Sequence, residues 1–304
     1  MNRLKYIAAV FIIVIGIEAH GQQQATFAQY MFNGLAINPA YAGSQEALSV
    51  NFLARFQNVG LPGAPNTQTL SIHSPIANQR FAVGFMVIHD EIGVINQTGV
   101  NGVYAYRLPI KPGRTLSFGV QVGMSAYRAN YTQLELYQQD QLFANDVSQN
   151  RLNFGAGIYY TTPLMYVGLS MPHMMNNIFE RGSNFETIYQ SVPIILTGGK
   201  VFSLSPMLKF KPNFLFKWAD DRAVEIDLNA NFLFDDVVWF GVSYKFQNVI
   251  ALLTEIQLTD QLRMGYSYSF ATGPMQQAEL GTHELLVQYR FRYSMKGVVT
   301  PRYF

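Results

Sequence analysis

Residues 116–126, which read LSFGVQVGMSA, decide the fold of this chain. The even positions are apolar, and the odd positions between them are Ser, Gly or Gln. Such strict alternation is typical of a β-strand with one apolar face, and helical spacing fits it poorly. The length also matches the roughly 9–11 residues that a tilted strand needs to cross a bilayer. The stretch therefore predicts a membrane-spanning strand whose Phe118, Val120 and Val122 side chains face lipid.

The same alternation recurs along the chain and predicts fourteen antiparallel strands. Their predicted spans are 47–56, 68–74, 81–88, 98–108, 115–127, 151–161, 165–171, 192–202, 207–218, 224–233, 237–244, 249–258, 262–270 and 283–293. The connections between them alternate between a longer and a tighter kind. The longer kind comprises 57–67, 89–97, 128–150, 172–191, 219–223, 245–248 and 271–282. Long outer loops that alternate with short periplasmic turns are typical of an even-stranded outer-membrane barrel.

Composition favours a membrane barrel over a soluble β-sandwich. Charged residues make up 13% of the chain and aromatic residues 14%, whereas soluble domains usually carry about 25% charged residues. In lipid every backbone donor and acceptor must be paired inside the protein, so a spanning sheet must close on itself. We therefore expect an all-β fold, a transmembrane antiparallel β-barrel of about 14 strands, over residues 47–304.

The phase of the strands assigns a set of charged residues to a wet lumen. This lumen-facing set comprises Arg55, Lys217, Glu225, Asp227 and Arg263. If the hairpin around residues 219–223 is symmetric, Lys217 lies opposite Glu225. Pro212 falls inside a predicted strand where it cannot donate a ladder hydrogen bond, so we expect a β-bulge there.

The first 21 residues have the pattern of a secretory signal peptide. Arg3 and Lys5 precede an apolar run from Ile7 to Ile17, and Ala19-His20-Gly21 follows it. We expect residues 1–21 to be removed before Gln22, with an uncleaved anchor helix as the alternative. No Cys follows, which excludes a lipoprotein anchor and a need for disulfides.

The motifs that would indicate catalysis are broken. His283-Glu284 begins like a zinc-protease helix, but Val287 stands where the second histidine would be. The stretch 168–172 lacks the closing Gly of a nucleophile elbow. We therefore expect no enzyme, no catalytic residue, no metal site and no cofactor. A net charge of +2 implies no basic surface for nucleic acid.

The segment before the first strand is unusual. Residues 22–46, here called the N-terminal segment, read QQQATFAQYMFNGLAINPAYAGSQE and show neither strand nor helix periodicity. Its large apolar residues, among them Phe27, Met31 and Phe32, should not stay in water. We expect it to be structured at the periplasmic mouth or inside the lumen. The alternative is a floppy periplasmic extension.

Within this segment the chain resembles a known family. The runs 29–33 (QYMFN) and 38–43 (NPAYAG) are similar to the opening of the PorP/SprF family of type IX secretion proteins. Three further stretches agree, namely GLSMPH at 168–173, THEL at 282–285 and PRYF at 301–304. Gly34 departs from the Pro that the family commonly carries.

The resemblance implies an outer-membrane barrel of Bacteroidota that assists secretion or surface attachment of large cell-surface proteins, and some members support gliding motility. The implied partners are a secreted surface protein with a type B C-terminal domain, periplasmic components of the type IX system, and outer-membrane lipid. Candidate partner-facing or lumen-plugging positions are the motif residues Tyr30, Phe32, Asn33, Asn38, Pro39, Tyr41 and Gly43. The alternative function is a channel for hydrophobic or small solutes.

Overall fold

The computed structural model describes residues 27–76, 79–134, 143–175, 177–179, 188–190, 192–219, 224–272, 280–291 and 303. The predicted signal peptide, the first five residues of the N-terminal segment and most of the closing PRYF stretch lie outside these residues. Across the described ranges, no helix combines the length and the apolar character needed to traverse a bilayer.

Fourteen antiparallel strands form the barrel, which confirms the predicted fold. They are β1 Leu48–Phe56, β2 Asn66–Ile76, β3 Phe81–Ile92, β4 Ile95–Lys111, β5 Arg114–Ala129, β6 Val147–Thr162, β7 Met165–Met171, β8 Ile194–Lys200 continued by Phe202–Ser203, β9 Leu208–Trp218, β10 Glu225–Phe234, β11 Val238–Lys245, β12 Val249–Gln257, β13 Leu262–Ala271 and β14 Thr282–Phe291. Each strand pairs with its sequence neighbours, and β1 pairs with β14 to close the barrel. Two further short strands, Asn177–Phe179 and Ile188–Gln190, pair with each other in the β7–β8 connection.

Alternation of side chains along β5 produces an apolar outer surface. Val120 and Val122 are each 52% exposed on the outside, whereas Ser117 and Gln121 between the outward positions are buried. The same pattern of exposed large apolar side chains continues around the barrel. Lipid accounts for this arrangement, because a soluble sheet would bury that face.

The chain ends fix the orientation of the barrel. Leu48 at the start of β1 pairs with Phe291 at the end of β14, so both ends of the barrel sequence lie at one rim. The turns at 112–113 and 163–164 lie at this rim, and the long connection at 130–146 lies at the other. Short turns and chain ends mark the periplasmic side of such barrels.

The predicted long loop at 89–97 is wrong. β3 and β4 continue to Ile92 and Ile95, which pair with each other across residues 93–94. Polar residues in this stretch look like a loop in the sequence, but they continue the ladder. Gly93 has a φ of 58°, which the tight turn requires.

The bulge expected at Pro212 is also wrong. Pro212 pairs with Ala230 of β10, and the register of β9 and β10 continues through it unchanged. On the other side of β9, β8 is interrupted at Val201, and the Val201 N–H donates to the Leu164 carbonyl at 2.7 Å. A register shift does occur elsewhere, between Pro109 and Lys111 in the pairing of β4 with β5.

Candidate functional site

The N-terminal segment fills the lumen of the barrel. It forms three short 3-10 helices, at Tyr30–Phe32, Gly34–Ala36 and Pro39–Tyr41. Its described part begins beside Glu284, near the extracellular end of β14, and reaches His73 near the periplasmic end of β2. The seven predicted motif positions are all buried there: Tyr30, Phe32, Asn33, Asn38, Pro39, Tyr41 and Gly43. The barrel wall therefore covers them.

Two residues with special backbone chemistry shape the lower half of the segment. Asn38 is extended, with φ −146° and ψ 114°, as a residue before proline prefers. Its side-chain oxygen accepts a hydrogen bond from the Ala40 N–H at 2.9 Å and begins the third helix. Gly43 has a φ of 74°, and a Cβ there would lie 2.6 Å from the Cβ of Ala82. Only Gly fits the turn that leads the chain from the lumen into β1.

The upper end of the segment is held by one carboxylate. The Ala28 N–H lies 2.9 Å and 3.0 Å from the two carboxylate oxygens of Glu284, and the Gln29 N–H donates at 3.2 Å. Arg55 Nε lies 3.2 Å from the same carboxylate as an ion pair without hydrogen-bond alignment. Hydrogen bonds to a charged acceptor are stronger than neutral ones, so Glu284 anchors the segment.

The lower half of the segment presses on a wall of glycines. A Cβ on Gly119 would lie 2.2 Å from the Ala40 nitrogen, and one on Gly157 would lie 2.2 Å from Asn38 Oδ1. Asn38 Nδ2 also donates to the Ile158 carbonyl at 3.0 Å. Gly119 lets the backbone of the segment approach the backbone of β5, and Gly157 of β6 makes room for the Asn38 side chain.

The second family stretch, GLSMPH, meets the segment at the same place. A Cβ on Gly168 would lie 2.8 Å from Asn38 Nδ2, and Ser170 Oγ donates to the Ile37 carbonyl at 2.6 Å. The Asn-Pro motif and the GLSMPH stretch, which are far apart in sequence, thus form one contact.

Aromatic rings complete the packing. Tyr41 meets the rings of His73 and Tyr159 edge-on, at 5.4 Å and 5.5 Å between centroids. Its hydroxyl accepts a hydrogen bond from Gln45 Nε2 at 2.7 Å, and burial raises the pKa of Tyr41 above its usual value. Tyr41 therefore stays a neutral tyrosine in the filled lumen.

The five predicted lumen residues all face the interior: Arg55, Lys217, Glu225, Asp227 and Arg263. Lys217 lies directly opposite Glu225, with 2.9 Å between Nζ and Oε1. Arg263 Nε lies 2.9 Å from a Glu255 oxygen, and Asp227 accepts hydrogen bonds from neighbouring polar side chains. Lys217, Glu225, Asp227 and Arg263 are buried and Arg55 is half-buried, in an interior that the N-terminal segment shares.

Two contacts with the lumen were missed by sequence reasoning. Pro172, at the start of the predicted loop 172–191, turns inward, and its carbonyl accepts from Gln121 Nε2 at 2.6 Å and Asn153 Nδ2 at 3.1 Å. At the periplasmic end, Lys211 Nζ donates to the Tyr303 carbonyl, and Lys209 lies 4.9 Å from the Tyr303 ring. Inward amides on β5 and β6 were the available signal for the first contact.

The interior offers packing and hydrogen bonds for a peptide segment. In the ranges that the structure describes, no three His, Asp or Glu side chains are grouped so that they could hold a metal ion. The contacts of Glu284, Gly119 and Ser170 are made to backbone atoms of the N-terminal segment. The arrangement is therefore a binding site for an internal peptide.

Solved barrel structures are similar to this chain at low sequence identity. The CymD monoaromatic hydrocarbon channel superposes with a TM-score of 0.52 and 12% identity, over 93% of this chain and 99% of that one. The outer membrane protein Omp33 of Acinetobacter baumannii superposes with a TM-score of 0.49 and 11% identity, over 82% of this chain and 100% of that one. A FadL homologue of Pseudomonas aeruginosa superposes with a TM-score of 0.49 and 12% identity, over 85% of this chain and 94% of that one. The likeness to the CymD channel shows the fold alone.

Among curated proteins, no sequence matches this chain. At the level of families, residues 19–289 match the type IX secretion system membrane protein PorP/SprF. The match includes the N-terminal segment and nearly the whole barrel, and so covers the two elements that form the filled lumen. This closed outer-membrane barrel therefore belongs to the PorP/SprF family of type IX secretion system membrane proteins.

Proposed function

We propose that this barrel assists the secretion or surface attachment of a large cell-surface protein, an adhesin with a type B C-terminal domain. In this role the barrel is a closed platform for the client and for periplasmic components of the system. The client does not pass through the lumen of this barrel, and no step of the role is catalytic. Family membership supports a role in type IX secretion, and the client class is our own extension.

The filled lumen is the observation that carries the proposal. A passive pore needs a water-filled interior, as in porins. Here the N-terminal segment is anchored to Glu284 above and seated on Gly119 below, and both contacts are made by its backbone. A lumen that binds its own chain in this way favours a platform over a conduit.

The alternative is a channel for hydrophobic or small solutes. It would require the N-terminal segment to leave the lumen during each passage. The likeness to the CymD channel concerns the fold, so it does not bring that protein's solute to this chain. The two functions therefore have to be separated by experiment.

The test removes residues 24–43 and keeps the signal peptide, in a strain that lacks the chromosomal copy. Display of the client is measured by antibody labelling of intact cells. The amount of folded barrel is measured by its heat-modifiable mobility in outer-membrane fractions. We expect a folded barrel in the outer membrane and loss of client display, because the strands are untouched while the lumen is empty.

A point variant provides a second test beside the deletion. Gly119→Ala keeps the full chain length and disturbs only the seat of the N-terminal segment. We expect it to reduce client display in the same direction as the deletion. Normal display from both variants contradicts the proposal. Raised uptake of a hydrophobic solute together with normal display supports the channel instead.

A further inference from the structure

The wall formed by β14, β1 and β2 differs from the glycine wall on the other side of the lumen. Asn51 of β1 lies directly opposite Gln288 of β14 and Ser71 of β2. Ser71 Oγ donates to Asn33 Oδ1 of the N-terminal segment at 2.8 Å. Ser49 lies two residues before Asn51 on the same face of β1, closer to the periplasmic rim. This stretch of the wall presents neutral polar side chains between the Arg55–Glu284 ion pair above and Arg290, which lies opposite Ser49, below.

These side chains are sealed from bulk solvent yet lack hydrogen-bond partners among the described residues. Asn51 and Ser49 are 0% exposed, and Gln288 is 1% exposed. Six of their atoms have no partner: Asn33 Nδ2, both amide atoms of Asn51, both amide atoms of Gln288, and Ser49 Oγ. The bond from Ser71 fixes the oxygen of Asn33 toward β2, so its amide nitrogen points elsewhere.

Six dry and unpaired polar atoms in one place are not compatible with a marginally stable fold. None of the six atoms pairs with another among the described residues, although Asn51 lies opposite Gln288. A buried water makes about three hydrogen bonds to polar groups that would otherwise be unpaired. About two waters would satisfy all six atoms.

We propose that Asn33, Asn51, Gln288 and Ser49 bind a cluster of ordered water molecules that joins the N-terminal segment to the wall. The segment then has two different sides. Toward β5 its backbone touches Gly119 directly. Toward β14 and β1 it is bonded directly to Glu284 at its upper end, and below that contact through exchangeable water. The water-bridged contacts open before the lumen does, because their bonds can be replaced one at a time by solvent. This inference does not depend on the identity of the secreted client.

The test compares two isolated thiols in a chain that has no native Cys. Ser49→Cys places a thiol in the proposed cluster, and Ala105→Cys places one on the opposite wall; both native side chains are 0% exposed. Exchange of the thiol proton for deuterium is followed by the infrared S–H band of the folded barrel in detergent. Opening of the whole lumen exposes both sites equally, so the ratio of the two rates isolates local water.

We expect exchange at Ser49→Cys to be at least about tenfold faster, because the thiol contacts water before the lumen opens. Adding Asn51→Leu and Gln288→Met to Ser49→Cys removes the other partners of the water. That triple variant should bring the rate down to the value of Ala105→Cys. Equal rates at the two single sites would overturn the proposal, as would an unchanged rate in the triple variant. Heat-modifiable mobility verifies that each variant is a folded barrel.

Discussion

Alanine at Gly119 should push the N-terminal segment off its seat while it leaves the barrel wall intact. The added Cβ would lie 2.2 Å from the Ala40 nitrogen, 2.4 Å from the Pro39 carbonyl carbon and 2.5 Å from the Ala40 Cα. All three atoms belong to the backbone of the segment, so no side-chain rotation relieves the clash. The segment has to withdraw by about 1 Å to restore ordinary contact.

The expected size of the effect follows from this overlap. Overpacking of this kind costs about 1–3 kcal/mol. The clash exists only while the segment occupies the lumen, so it shifts the equilibrium toward the displaced state. Because about 1.4 kcal/mol corresponds to a factor of ten, the displaced population should rise roughly 5- to 150-fold.

The assay uses a single introduced thiol, since the chain contains no Cys. Ala36→Cys places it on the half-buried part of the segment, where a maleimide reacts mainly after displacement. When reclosure is faster than labelling, the labelling rate is proportional to the displaced population. Gly102→Ala on β4 is the matched control, because the nearest atom to its new Cβ is 3.8 Å away. Equal labelling rates in the Gly119→Ala and Gly102→Ala barrels would refute the reasoning.

Three further predictions concern the wall. Val120→Arg should lower the free energy of unfolding by about 2–4 kcal/mol, whereas Ile110→Arg near the periplasmic rim should lower it by about 0–1 kcal/mol. The two native side chains are about equally exposed, at 52% and 51%. Similar losses in urea titrations in lipid vesicles would contradict the depth assignment. Lys217→Met alone should lower the free energy of unfolding by about 1–3 kcal/mol, because the Glu225 carboxylate stays buried without this cation. The double variant Lys217→Met/Glu225→Gln should recover part of that loss. A double variant whose loss equals the sum of the two single losses would argue against coupling. Burial, together with the charge of Lys217, lowers the pKa of His173 from 6.5 to about 4. As the pH falls, the unfolded chain binds this proton before the folded chain does, so the free energy of unfolding should decrease between about pH 6.5 and pH 4. His173→Gln should make this decrease smaller in urea titrations at a series of pH values. An unchanged pH dependence would contradict the role of His173.

The strands could be predicted because their information is local. In the stretch 116–126 the polarity of each residue indicates which face of the strand it occupies. An alternation of polarity with a period of two residues is enough to identify the strand. The error at 89–97 has the same origin. The strands there extend past the apolar zone, where outward residues no longer need to be apolar. Asp90 and Gln97 then resemble a loop although they pair with each other in the ladder.

The seat of the N-terminal segment could be predicted only in part. Its apolar residues showed that it must be covered, since large apolar side chains do not stay in water. The partner of Ala28 could not be deduced, because Glu284 is 256 positions away. The sequence also does not show why a glycine such as Gly119 is needed. It could allow a turn, leave room for a neighbouring side chain, or let another backbone segment come close. Contacts of this separation depend on closure of the whole barrel, which no local pattern encodes.

The direct covalent link between the N-terminal segment and β1 has a further consequence for any protein that would open this lumen. A ligand tethered by a short linker acts at an effective concentration on the order of millimolar. A free partner at micromolar concentration must therefore bind the wall roughly a thousandfold more tightly than the segment does, which is about 4 kcal/mol. The tether also keeps a displaced segment at the periplasmic mouth, so the barrel recloses as soon as such a partner departs.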